Sequence, residues 1–286
     1  MISLETSQLL VSLEPANGGK ITSLFHRPSR REWLEGCAGL QSGPSGTKIS
    51  FDDGDMCGWD EMMPTIAPCF YPGTTIELAD HGALWSQAWT VVHATSASIT
   101  TVARDSVLGY RMERSLRVDD AKLSIEYRVT NESEADRYLL WAAHPLFAHH
   151  QGTRIDLEQF ELCDPYKDGP ARQWPRLGAT LDDFEHGWSQ KVFARATSEH
   201  PMVSLTDSDG ARLTMRWRSS DAPYLGIWLD NCSLSRHPVI ALEPTNGHDD
   251  ALDEALATPG AKGPWQVGAR SSRDWRLEIE LSETNG

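Results

Sequence analysis

The sequence is short of cysteine pairs, of positive charge and of long apolar runs, and each shortage removes a class of protein. Its five cysteines, Cys37, Cys57, Cys69, Cys163 and Cys232, are scattered, odd in number and form no Cys-x-x-Cys pair. That spacing argues against a disulfide framework or a zinc ribbon and predicts reduced thiols. Lys and Arg total 26 against 41 Asp and Glu, a formal net charge of -15. Such a chain repels phosphate backbones and anionic lipid, and no Lys/Arg-rich run offsets it, so neither nucleic acid nor a membrane is an expected partner. No stretch approaches the roughly 18 apolar residues that span a bilayer. The opening Met1-Ile-Ser-Leu-Glu5 has no basic flank leading into an apolar segment, which predicts a cytoplasmic location.

Several catalytic signatures are missing too. There is no Gly-x-Ser-x-Gly turn of a serine hydrolase, and no Walker or dinucleotide glycine motif. His144, His149 and His150 lack a spacing that would set three ligands on one side of a strand, so no metal is expected. The acidic runs at 52–55 and 248–254 lack the Ca²⁺-loop pattern and read as solvated faces. Helical periodicity is scarce, with one short candidate from Asp250 to Leu256, closed by Pro259-Gly260.

What the chain does have is apolar material in alternation. It is 40% hydrophobic with 11 Trp, enough for a large core. Tyr110, Met112, Leu116 and Val118 alternate with Arg111, Glu113, Ser115 and Arg117. After Asp119-Asp120-Ala121, Leu123, Ile125, Tyr127 and Val129 alternate with polar residues in turn. Period two on both arms predicts a hairpin with one buried face. The pattern returns after Asp209-Gly210 in Leu213, Met215 and Trp217, and again in Trp275, Leu277, Ile279 and Leu281. Gly/Pro-rich intervals at Ser42 to Gly46 and Pro68 to Gly73 read as loops, and none is long enough for an interdomain linker. The expectation is an all-β chain, one β-sandwich domain spanning 1–286.

Two titratable residues stand out against apolar strands. His144 follows Tyr138-Leu-Leu-Trp-Ala-Ala143 and precedes Pro145. Glu243 follows Val239-Ile-Ala-Leu242 and precedes Pro244. Because proline cannot donate to a ladder, both are expected where a strand leaves its sheet. Taken singly, such a histidine is as often a satisfied structural group, and such a glutamate often faces water. Together they are the acid and base that proton transfer near neutral pH requires.

Six segments in order across most of the chain carry a resemblance. They are Gly18-Gly-Lys-Ile-Thr-Ser-Leu24, Gly58-Trp-Asp-Glu-Met-Met-Pro64, Asp80-His-Gly-Ala-Leu-Trp85, His144-Pro-Leu-Phe147, Pro223-Tyr-Leu-Gly-Ile-Trp-Leu229 and Ala241-Leu-Glu-Pro-Thr-Asn-Gly247. Through them the chain resembles the aldose 1-epimerase (galactose mutarotase-like) family. The resemblance implies a large antiparallel β-sandwich with Glu243 as general base, His144 as general acid and His81 holding the sugar near its ring oxygen. It implies a free aldose as the small-molecule partner, no cofactor, and a monomer or homodimer. Galactose-type members carry an arginine-containing segment before the Asp-His-Gly position. Here Gly58 to Pro64 stands in its place, so sugar specificity is expected to differ.

Asp60 is a candidate for binding sugar hydroxyls, as is Glu61, with a solvated acidic loop as the ordinary alternative. Trp228, Trp85 and Trp59 are candidates for stacking on a pyranose face, although most of the tryptophans must be core. Lys191, in Gln190-Lys-Val-Phe193, is expected to be exposed rather than in a cleft. Two further readings stay open: a sugar-binding protein without chemistry, and a same-fold epimerase of phosphorylated or anionic sugars. The latter calls for an arginine cluster, for which Arg270 and Arg273 are candidates that read as surface residues.

Overall fold

Wherever the sequence alternates, the chain pairs antiparallel. The computed structural model describes residues 1–37, 50–51, 56–163, 180–258, 260 and 262–283. The predicted hairpin is formed by Tyr110–Asp119 and Lys122–Asn131, with Asp119 opposite Lys122. The two residues between them turn the chain, Asp120 in the left-handed region at φ 52°. Lys122–Asn131 pairs in turn with Ser272–Glu283, which carries Trp275, Leu277, Ile279 and Leu281 inward.

Among the described residues these strands belong to an eight-stranded antiparallel sheet. Its order is Arg154–Asp156, Met202–Thr206, Ala211–Arg216, Ser272–Glu283, Lys122–Asn131, Tyr110–Asp119, Ser98–Asp105 and Thr90–Ala94. A ten-stranded sheet faces it. Its central strands run in the order Lys20–His26, Trp59–Met62, Ala142–Ala148, Val239–Thr245, Tyr224–Asn231 and Trp188–Ala196. Apolar side chains of both sheets, among them Ile21, Trp59, Phe147, Tyr110, Leu123 and Leu277, form one buried cluster between them. This is the all-β antiparallel sandwich the sequence predicts.

One charged pair crosses that core. Arg114 occupies an inward position of its strand, and its Nη1 lies 3.1 Å from Glu61 Oε1, with both side chains fully buried. Glu61 also accepts hydrogen bonds from the Tyr127 hydroxyl at 2.9 Å and the Trp141 indole N–H at 3.0 Å. Burial pushes the Glu61 carboxyl above its ordinary range, and Arg114 and these donors pull it back. Glu61 is thus a core link between the sheets, not part of a solvated acidic loop or a sugar ligand.

Other local expectations change. The helix spans Leu252–Ala257. The Pro68 to Gly73 interval holds a short strand, Cys69–Phe70, paired with Glu77–Leu78. The interval Ser42 to Gly46 and the acidic run 52–55 lie outside the described residues. Reduced thiols are not what the structure has throughout: Cys37 and Cys57 form a disulfide, with an S–S distance of 2.19 Å and Cα atoms 5.3 Å apart. The Gly58 N–H donates to the Glu35 carbonyl at 3.0 Å, which sets the two segments side by side in a way their spacing does not announce. Cys69 and Cys232 are free. No helix among the described residues is long and apolar enough to cross a membrane.

Candidate active site

The site lies on the outer face of the ten-stranded sheet and is set by register. Asp60 is opposite His144, and Glu243 is opposite Gly226. Ala142 is opposite Thr245 and Leu146 opposite Ala241, so counting by two places His144 opposite Glu243. Asp60, His144, Glu243 and Gly226 therefore form one row across four strands, with side chains on one face. Trp228 is two residues along from Gly226, and Lys191 is opposite Trp228.

His144 and Glu243 lie inside their strands, Ala142–Ala148 and Val239–Thr245, not at the ends where proline was expected to put them. Proline acts more locally. Pro145 and Pro244 remain paired with their other neighbours, Trp59 and Leu225, while the ladder between the two strands is interrupted from Ala142↔Thr245 to Leu146↔Ala241. The missing donors open the sheet at the two titratable residues.

A cavity of about 200 Å³ lies over this opening. Phe51, His81, His144, Lys191, Trp228 and Glu243 line it, joined by Asp80, Asp250 and the apolar Ile66 and Leu234. His144 Nε2 is 3.9 Å from Glu243 Oε1. The Trp228 ring centroid is 6.4 Å from that of His144. Asp60 and Trp85, both buried, stand behind the wall instead of lining it: Asp60 ion-pairs with the buried Lys20 at 2.5 Å, and the Trp85 indole donates to the Asp80 carbonyl at 3.0 Å. Trp59 is core. Arg270 pairs with Glu134 at the surface, and Arg273 packs over Trp265, so neither reaches the cavity.

His81 enters from a turn held against the strand end. Its N–H donates to the Ile66 carbonyl at 2.7 Å, and Gly82 bridges to Met63. The imidazole Nδ1 meets Asp80 Oδ1 at 2.7 Å, and the ring stacks on Phe51 at 4.1 Å. The Asp80 carboxyl is partly buried, which opposes its charge, but His81 and the Phe51 N–H lower it on balance. The turn needs glycine: Gly82 has φ 70°, and a Cβ there would lie 1.9 Å from the Met63 carbonyl oxygen. Gly82→Ala is expected to cost about 1–3 kcal/mol from backbone strain or more from the clash, read as a lower urea midpoint.

Lys191 is not the exposed lysine of the sequence reading. Its Nζ is 2.8 Å from Glu243 Oε2 and 2.8 Å from Asp250 Oδ1, inside the cavity wall. Burial works against its charge, yet Asp250 and Glu243 outweigh that and raise its pKa. Asp250 comes from the acidic run read as a solvated face, and that expectation is corrected for this residue.

These pairs set the charge states of the central residues. Burial pushes His144 well below the ordinary 6.5, and the nearby His81, Lys191 and Lys20 push it further, so it is a neutral imidazole at neutral pH. Its Nδ1 has no hydrogen-bond partner among the described residues. Burial raises the Glu243 carboxyl, Lys191 lowers it, and Asp250 raises it again. On balance the Glu243 carboxyl is raised, and its ion pair with Lys191 at 2.8 Å is what favours the carboxylate, which stands with the neutral imidazole beside an aromatic wall. Sequence reasoning missed Phe51, Lys20 and Asp250, whose partners lie far along the chain.

Solved structures share this architecture. A galactose mutarotase-like protein from Lactobacillus casei superposes with a TM-score of 0.73 at 19% identity, over 99% of this chain and 100% of that one. The chain has the galactose mutarotase-like fold. A galactose mutarotase related enzyme from Lactobacillus acidophilus matches this fold at TM-score 0.74 and 15% identity, covering 99% and 98% of the two chains. A galactose mutarotase-like protein from Clostridium acetobutylicum does so at 0.72 and 12%, covering 99% and 95%. No family model and no curated protein matches the chain.

Proposed function

We propose that this mutarotase-like fold carries an aldose 1-epimerase, which exchanges the α and β anomers of a free sugar. One observation carries the reading: the Glu243 carboxylate and the His144 imidazole lie 3.9 Å apart in a small cavity. A pyranose bound there meets a base, an N–H donor and the Trp228 ring together.

Glu243 takes the proton from the anomeric hydroxyl. The O1 lone pair forms the C1 carbonyl, the C1–O5 bond breaks, and its electron pair moves to O5. His144 keeps its proton and donates a hydrogen bond from its neutral N–H to O5, stabilising the charge that grows there until the ring recloses, an electrophilic role open to neutral imidazole. This replaces the protonated acid that pairing with a carboxylate suggests. Rotation about C1–C2 then offers the other carbonyl face, O5 closes on it, and Glu243 returns its proton to O1. Atoms and charge balance without a second substrate.

Gly226 is part of this geometry. A Cβ there would lie 3.0 Å from Glu243 Oε2 and would displace the carboxylate. Gly226→Ala is expected to slow exchange roughly tenfold to a hundredfold, as small misplacements do, with the unfolding midpoint nearly unchanged. The function itself is tested by polarimetry of freshly dissolved single anomers of neutral, acidic and phosphorylated aldoses. Acceleration of at least one supports the proposal, and none across the panel rejects it.

A further inference from the structure

Lysine is an unusual neighbour for a base. Lys191 reaches Glu243 across the strand that carries Gly226, a position opposite Glu243 that holds no side chain. Gly226 is opposite both Glu243 and Phe193, and the lysine Nζ passes 5.5 Å above the Phe193 ring. The ammonium meets one carboxylate oxygen, Oε2, at 2.8 Å, and leaves Oε1 turned to His144. Asp250 holds it from the far side at 2.8 Å. An ion pair serving stability alone has no reason to stand in a cavity wall or to divide the two oxygens in this way.

We propose that Lys191 is a positioning residue: braced by Asp250, it fixes Glu243 through Oε2 and keeps the carboxylate ionised with Oε1 aimed into the cavity. This rests on Glu243 being the base. The groups facing Glu243 are His144 from the Ala142–Ala148 strand, Lys191 from Trp188–Ala196, Asp250 from the segment after Val239–Thr245, and His81 from the turn beside Asp80. Lys191 favours the charged carboxylate and Asp250 opposes it, so removing each shifts its titration in opposite directions. Without Lys191 the carboxyl protonates at higher pH. With Asp250 gone, it does so at lower pH.

The test is ¹³C NMR titration of glutamate-carboxyl-labelled protein, with the Glu243 signal assigned by its loss in Glu243→Gln. Lys191→Met is expected to move the Glu243 titration up, Asp250→Asn to move it down, and Lys191→Arg to restore it largely. The acid limb of kcat/KM follows the same order, and Lys191→Met loses about tenfold in rate for each unit the limb moves above the assay pH. An unmoved Glu243 signal in both Lys191→Met and Asp250→Asn overturns the proposal, whatever the activity. Should Lys191→Met fail to fold, Asp250→Asn and Lys191→Arg carry the same comparison. Opposite shifts in the two variants, together with a wild-type protein that exchanges no aldose, would sink the epimerase reading and leave the carboxylate's positioning intact.

Discussion

Glu243→Gln is expected to reduce anomer exchange by roughly 10²–10⁴-fold, the range that one positioned base contributes. The amide keeps the shape of the carboxyl and its place opposite Gly226, so the sheet need not move. What it loses is the ability to take the anomeric proton at Oε1, the oxygen facing His144. The prediction separates chemistry from binding: saturable sugar binding survives while exchange does not. A Glu243→Gln protein that folds and still exchanges anomers at the wild-type rate would show that the base lies elsewhere. The unfolding transition serves as the control. Glu243 is fully buried beside Lys191, and the amide leaves that lysine with Asp250, so the fold retains a partner for each charge that stays.

Arg114→Met is expected to have the largest effect on stability, about 3–5 kcal/mol, because it strands the Glu61 charge in the core. Among the described residues Glu61 would keep only the Tyr127 and Trp141 donors, neutral groups that do not balance a carboxylate in a dry interior. Chemical denaturation followed by tryptophan fluorescence reads the loss as a lower midpoint with an unchanged slope. Pairing it with Glu61→Gln is expected to recover part of the deficit, since an uncharged pair has less to desolvate. A single-variant loss below about 1 kcal/mol would mean that water reaches Glu61, contrary to its full burial.

The sequence made the frame legible because alternation is local. Each inward residue of Tyr110–Asp119 and Ser272–Glu283 is fixed by its own neighbours, and the hairpin register follows from a short turn. The same alternation held a clue to the buried ion pair: Arg114 falls at an inward position between Met112 and Leu116, where only a partnered charge survives. Its partner, from a strand of the other sheet, has no signature in sequence. Lys191 was misread for the same reason. Its place in the cavity wall depends on Glu243 and Asp250, which come from a part of the chain some fifty residues further on. His144 and Glu243 stood out by the prolines that follow them, yet the inference to strand ends was wrong. A proline costs one ladder bond, and each of these strands has a second neighbour to keep it in the sheet. Cys37 and Cys57 meet through a backbone contact at Gly58 that no cysteine spacing rule anticipates.

The most direct test of the central claim is saturation transfer between the anomeric protons of an aldose at equilibrium, with catalytic amounts of the protein. Irradiating the α-anomer signal is expected to drain the β signal of at least one free aldose with the wild-type chain and not with Glu243→Gln. Equal β intensities with and without the wild-type protein, for every neutral, acidic and phosphorylated aldose tried, would contradict the account.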